Sequence, residues 1–318
     1  MKYDKAVDFL RKIDGNVGIF FHDDTDGACS AALINSLLKQ RGVRTTLATG
    51  PIDKESFKSF KWIKVDYIVF TDLAIDQYPD WLEMFDKEKI IIIDHHPIHN
   101  DLNKMGYLYV NSRLTEPDKY ISASQICLDI CKKAGLEGKE WIGKVGAVGD
   151  RALEGTPEEE KVAEIISANK SIRGPDSLIK IAKFMTTANS MDDIMYTTEY
   201  QKPLELMEGE LERQITNFER NEIEDINFFE FRGNYSILSV LSSSLFDKYP
   251  NKTIIVYRIN EGYIKISGRS PNHDLGTIFA KATEGIGNGG GHPKAAGAKI
   301  KEKDFEKFKK RVMELIRK

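Results

Sequence analysis

Four isoleucines, Ile90 to Ile93, run without interruption into Asp94, His95 and His96. A strand built from such a run has no water-facing side, so it must be covered on both faces. VGIFFH (17–22) and DYIVFTD (66–72) have the same character, and VRTTLAT (43–49) and YLYVN (107–111) read as further strands. The segment ACSAALINSLLKQRG between the first two has helical spacing and stops at Gly42, a usual helix end. Fully apolar strands alternating with helices predict an α/β domain with a doubly wound, mostly parallel sheet.

Beyond it, residues 120–193 are mainly helical. Thr156, Pro157 and Glu158–Glu160 mark a helix start, because anions suit the positive end of the helix dipole. Leu204, Met207, Leu211, Ile215 and Phe218 recur at three- and four-residue steps, predicting one long amphipathic helix over 203–223. After it the pattern turns to β at YSILSVL (235–241), TIIVYRI (253–259) and GYIKISGR (262–269). A glycine-rich segment and a basic C-terminal helix follow. The expected organisation is a first domain over 1–193, a connecting helical linker over 194–229 and a smaller α+β domain over 230–318.

The net charge of -3 conceals a division: residues 231–318 hold 17 Lys or Arg against 8 Asp or Glu, and the rest hold 29 against 41. A basic second part would attract a polyanion and an acidic first part would hold cations, although a solvated surface also accommodates such charge. No secretory signal and no membrane-length apolar run is visible. The odd set Cys29, Cys127 and Cys131 argues for buried thiols in a reducing cytoplasm.

At four places in the first domain an apolar run ends on acid or imidazole. Asp24 and Asp26 follow VGIFFH, Asp72 closes DYIVFTD, Asp94–His96 close the isoleucine strand, and Asp150 follows GKVGAVG. A single strand-end aspartate is most often a helix cap. Several at the carboxyl edge of one parallel sheet can converge on a crevice, where their mutual repulsion calls for cations. Carboxylates with imidazole and no thiolate suit two ions such as Mn²⁺ or Mg²⁺, the clamp used to hydrolyse phosphate esters.

These residues resemble the motifs of the DHH phosphoesterases, in the branch with a C-terminal DHHA1 domain. The first motif stands as HDDTDG, the second as FTDLA, the name-giving triplet as Asp94-His95-His96 and the fourth as GAVGD. ISGRS (266–270) and GNGGGHPKAAG (287–297) look like the DHHA1 part. The family includes RecJ-like single-strand exonucleases, small-oligonucleotide phosphodiesterases, cyclic-dinucleotide phosphodiesterases and type II pyrophosphatases.

The resemblance implies metal ligation by Asp24, Asp26, Asp72, His95 and Asp150, with Asp72 a bridge. It implies that His96 faces the phosphate while Asp94 orients the histidine pair. Oligonucleotide phosphodiesterases and pyrophosphatases carry a histidine four residues before the first aspartate, where this chain has Phe20. His22, two before Asp24, stands where RecJ-like sequences have an aspartate, and becomes a sixth candidate ligand with Asp23 as its competitor.

In the second domain Arg269, Gly289, Gly290, Gly291 and His292 are the candidate phosphate-binding set. The implied activity is Mn²⁺-dependent, or Mg²⁺-dependent, hydrolysis of single-stranded RNA, DNA or short oligonucleotides from an end. A pAp phosphatase or cyclic-dinucleotide phosphodiesterase is the alternative, and a metal-free replication scaffold the rival outside enzymes. The size is closer to stand-alone archaeal DHH nucleases than to full-length bacterial RecJ-like enzymes. A homodimer and a DNA-repair or replication partner are compatible with it, and a membrane is not among the partners.

Overall fold

The isoleucine run forms β4 (Ile90–Asp94), and every one of its residues is buried. Its neighbours are β1 (Val17–Phe21), β2 (Thr45–Thr49), β3 (Tyr67–Thr71) and β5 (Leu108–Asn111), all paired in parallel in the order β2-β1-β3-β4-β5. Phe20, Phe70, Ile92 and Tyr109 build the core on one face, while Ile19, Val69, Ile91 and Ile93 are equally buried on the other. This is the two-sided sheet that the apolar strands predict. The strand order reverses between β1 and β3, and an open α/β sheet parts there to leave a crevice beyond its carboxyl ends.

The computed structural model describes residues 3–50, 57 and 64–317. It divides into two compact units, Met1–Leu204 and Glu205–Lys318. The helix Thr25–Gln40 is almost wholly buried in the first unit, and Cys29, Cys127 and Cys131 are buried free thiols. The helix Pro157–Arg173 starts with a capping box in which Thr156 and Glu159 satisfy each other's backbone N–H groups. The long helix spans Thr198–Glu219. Among the described residues no helix is long and apolar enough to cross a membrane.

The second unit is a five-stranded sheet in the order β6-β7-β8-β10-β9, with β6 Ile226–Glu230, β7 Thr253–Asn260, β8 Tyr263–Arg269, β9 Gly287–His292 and β10 Ala295–Lys301. Helices Leu275–Thr283 and Phe305–Ile316 supply Phe279 and Phe308 to the core on one face. Three readings change. YSILSVL is not a strand, because Leu238–Lys248 is a helix that buries Leu241 and Leu245 at helical spacing. The glycine-rich segment pairs as the edge strand β9. Asp150 follows the helix Glu140–Gly149 rather than a strand.

That helix explains GKVGAVGD. A Cβ added at Gly143 would stand 2.9 Å from Leu128 Cβ, one at Gly146 2.6 Å from Ser124 Cβ, and one at Gly149 2.6 Å from Thr25 Cβ. Glycines three residues apart let the helix lie directly against its neighbours, and this brings Asp150 to the crevice. Gly→Ala inside a helix normally stabilises by about 0.5–1 kcal/mol. Here overpacking reverses the sign: Gly146→Ala is expected to destabilise by about 1–3 kcal/mol, read as a lower midpoint in urea unfolding.

Candidate metal centre

Each acidic group reaches the crevice by a different local device. After β1 the chain turns into the helix Thr25–Gln40, with Asp24 as its N-cap: Oδ1 accepts from Gly27 N–H at 2.9 Å. Gly27 packs against the His22 carbonyl, leaving no room for a side chain. The other oxygen, Asp24 Oδ2, lies 2.6 Å from His22 Nδ1. Asp26 is buried in the first turn and accepts from Ala123 N–H at 2.8 Å and Ser124 N–H at 3.0 Å, the start of the helix Ala123–Ala134. It thus puts its charge at a positive helix end.

Asp72 leaves β3 with φ +59°, a left-handed conformation that aspartate tolerates better than most residues, and its N–H donates to Ile93 O at 2.8 Å. It is 1% exposed, and neither carboxylate oxygen accepts a hydrogen bond. His95 Nε2 is 3.2 Å from Asp72 Oδ1 and 4.0 Å from Asp26 Oδ2, while His95 Nδ1 is 3.6 Å from Asp150 Oδ2. Asp94 is buried beside this group and pairs with His96 Nδ1 at 2.8 Å. Asp150 Oδ1 accepts from the Tyr120 hydroxyl at 3.2 Å.

The electrostatics follow from this crowding. Burial, with the charges of Asp24 and Asp26, pushes the Asp72 carboxyl up to about 7. Burial and Asp26 raise Asp150 to about 6. Burial would lower the imidazoles, but Asp24 and Asp72 carry His22 up to about 11, and Asp72 carries His95 up to about 9. Against the upward push of burial, His22 holds Asp24 low and His96 holds Asp94 low.

Three overlapping groups have ligand atoms within 4.8 Å of one another: His22, Asp24 and Asp72; Asp26, His95 and Asp150; and Asp72, His95 and His96. The residues expected from the sequence therefore meet, including His22, while Phe20 is buried in the core. Asp23 turns instead to Lys170, 3.2 Å away. Asp72 Oδ1 and Oδ2, Asp150 Oδ2 and His95 Nδ1 are buried without hydrogen-bond partners. Buried polar atoms normally have partners, so this oxygen and nitrogen set fits divalent cations.

In the second unit, register places Arg269, Ala295 and His292 side by side on β8, β10 and β9. Lys265 and Lys299 form another row on the same face. Here a cavity of about 620 Å³ is lined by Arg258, Lys265 and Arg269 with no carboxylate. Arg269 is fastened to Ser239 and Ser243 Oγ, each at 3.2 Å. Gly289, Gly290, Gly291 and His292 do not line this cavity. A Cβ at Gly289 would press on Thr283 and Phe279, whereas Gly290 adjoins open space.

Sequence reasoning missed Tyr120, Arg258 and Lys265. The cations' spacing along paired strands was visible only as the general basic balance.

Residues 16–147 match the DHH family, N-terminal domain, and residues 226–318 match the DHHA1 domain. The chain belongs to the DHH family and carries a C-terminal DHHA1 domain. An uncharacterised protein of Methanocaldococcus jannaschii is 35% identical over 97 residues, covering 28% of this chain and 22% of that protein. RecJ of Thermus thermophilus in complex with Mn²⁺ superposes with TM-score 0.77 at 14% identity, over 97% of this chain and 53% of that one. An exonuclease RecJ bound to manganese gives TM-score 0.71 at 16% identity, over 97% and 92%. The chain thus spans about half the length of the Thermus protein. At these identities the likeness establishes the shared fold.

Asp72 supplies a test without metal. Its unfolded carboxyl loses a proton near 4 and the folded one near 7. Between these values the folded state binds more protons, so Asp72 lowers stability as pH rises through this window. In chelator, urea unfolding at pH 5 and pH 7 should show a smaller loss in Asp72→Asn than in the native chain. An equal loss in both would mean that Asp72 is not the strained group.

Proposed function

We propose that this DHH-family chain is a metal-dependent phosphodiesterase that shortens single-stranded RNA or DNA, or short oligonucleotides, from an end and releases mononucleotides. The observation that carries the reading is Asp72, a buried carboxylate with neither oxygen hydrogen-bonded, shared by neighbouring groups of potential ligands. His22 and Asp24 would hold one cation, Asp26, His95 and Asp150 the other, and Asp72 would bridge them. Mn²⁺ is the preferred ion, with Mg²⁺ as the second choice. Bound there, such a pair activates water as the nucleophile and neutralises charge on the phosphoryl oxygens.

The chain's own groups do the rest. Asp94 fixes His96 through Nδ1, leaving Nε2 to donate to a phosphoryl oxygen as charge builds up. Asp26 accepts from two backbone N–H groups at a helix N-terminus and Asp24 from one, which holds both carboxylates in orientation. In the DHHA1 unit, Arg258, Lys265 and Arg269 would take the phosphates of a strand, with His292 and the open backbone at Gly290 beside them. The net charge of residues 231–318 supports a polyanion there.

The test is incubation with 5′-labelled single-stranded RNA and DNA, a dinucleotide and pAp, in Mn²⁺ or EDTA, beside His95→Ala. Metal-dependent release of mononucleotides from the strands is expected, reduced at least about 100-fold in His95→Ala, beyond the usual effect of a residue merely supporting a ligand. Cleavage of pAp alone would replace the reading by a nucleotide phosphatase. Inactivity on all four, with Mn²⁺ bound, would exclude the nuclease.

A further inference from the structure

The segment after β5 is tied to the backbone of the His95–His96 pair. Asn111 Nδ2 donates to His96 O at 3.0 Å, and Asn111 Oδ1 accepts from Arg113 N–H at 2.9 Å. Arg113 Nε donates to His95 O at 3.0 Å. That bond fixes the plane of the guanidinium. Its two terminal nitrogens make no hydrogen bond or ion pair among the described residues, which leaves a positioned, permanently charged fork beside the metal cluster.

Tyr120 stands next to it. The guanidinium carbon is 6.0 Å from the Tyr120 ring centroid, and the ring meets His95 edge-on at 5.5 Å. Its hydroxyl is anchored on Asp150, yet the residue is 51% exposed. An aromatic side chain held at its polar end, with Arg113 over the ring and about half of the residue still open to solvent, offers its exposed part as a platform for another flat group.

We propose that Arg113 and Tyr120 form a nucleotide clamp at the rim of the metal centre: the Arg113 fork grips a phosphate and the Tyr120 ring stacks on the adjoining base. The clamp rests on the phosphodiesterase reading and adds its substrate class. It favours phosphates carrying a nucleobase over base-free phosphate esters. Stacking is indifferent to which base is present, and a bidentate fork suits the phosphate. Tyr120 also positions Asp150, a second task that substitution must separate from the first.

Tyr120→Phe and Tyr120→Leu both remove the hydroxyl and share whatever that does to Asp150 and kcat. They differ in the ring. On a single-stranded tetranucleotide, KM for Tyr120→Leu should exceed that for Tyr120→Phe about 5- to 150-fold, the range for one stacked base. On the same strand with abasic residues the two variants should have equal KM. Arg113→Gln should raise KM on both strands, with part of the loss recovered in Arg113→Lys, over and above any fall in melting temperature from the lost bond to His95 O.

Equal KM for the two Tyr120 variants on both strands, or an equal disadvantage of Leu on both, overturns the stacking role. A loss confined to the melting temperature in Arg113→Gln overturns the fork. Should the native chain cleave neither strand, the phosphodiesterase reading fails separately. Titration with AMP and ribose 5-phosphate in Mn²⁺ then still decides the clamp. Tighter binding of AMP that persists in Tyr120→Phe and vanishes in Tyr120→Leu supports it, and any other pattern overturns it.

Discussion

Mutual repulsion among crowded carboxylates shapes the crevice of the first unit. Asp24, Asp26, Asp72, Asp94 and Asp150 share one crevice, and ionised groups so placed must each find positive charge. Most do so locally: Asp24 in His22 and a backbone N–H, Asp26 in a helix N-terminus, Asp94 in His96. Asp72 accepts no hydrogen bond at either oxygen, and the nearby imidazoles of His95 and His22 leave its carboxyl still raised to about 7. Relieving this repulsion is what a cation would contribute, and the surrounding caps hold the other donors in position without it.

Capping and ligation are not rival explanations for an aspartate at a strand end. Asp24 is an N-cap through Oδ1, pairs with His22 through Oδ2, and lies in one group with His22 and Asp72. A cap fixes the rotamer of a short side chain through a bond to rigid helix backbone. The remaining oxygen is then aimed without further support. Asp26 carries this further, joining two helices while its carboxylate stays 4.0 Å from His95. The helix ends that close the sheet's crossovers therefore also orient the crevice.

The parallel sheet was legible because β1, β3 and β4 are apolar runs up to their carboxyl ends, and that pattern has few other solutions. The expected first-unit residues meet because strand ends are points that topology brings together. What the sequence concealed lies where local pattern and tertiary packing disagree. YSILSVL looks like a strand in isolation, and only Leu245, beyond it, reveals the helical stripe. GAVG reads as an apolar strand until the close approaches of Gly143, Gly146 and Gly149 are seen. Of the glycine cluster, Gly289 serves contact with the helix Leu275–Thr283, a demand no local motif expresses. Tyr120 was invisible because its partner Asp150 is 30 residues away.

The recognition groups on the proposed reading have one property in common. Arg113, Arg258, Lys265 and Arg269 address phosphate charge, and Tyr120 addresses the face of a base. Phosphate contacts position a strand without reading it, and a π-face is shared by every base. A protein that shortens strands from an end must accept each new terminal nucleotide in turn. Edge-specific hydrogen bonds would stall it at the first disfavoured base, whereas a fork and a ring bind whatever arrives. The same economy makes affinity depend on counterion release, so binding should weaken steeply with salt while the preference among bases stays shallow.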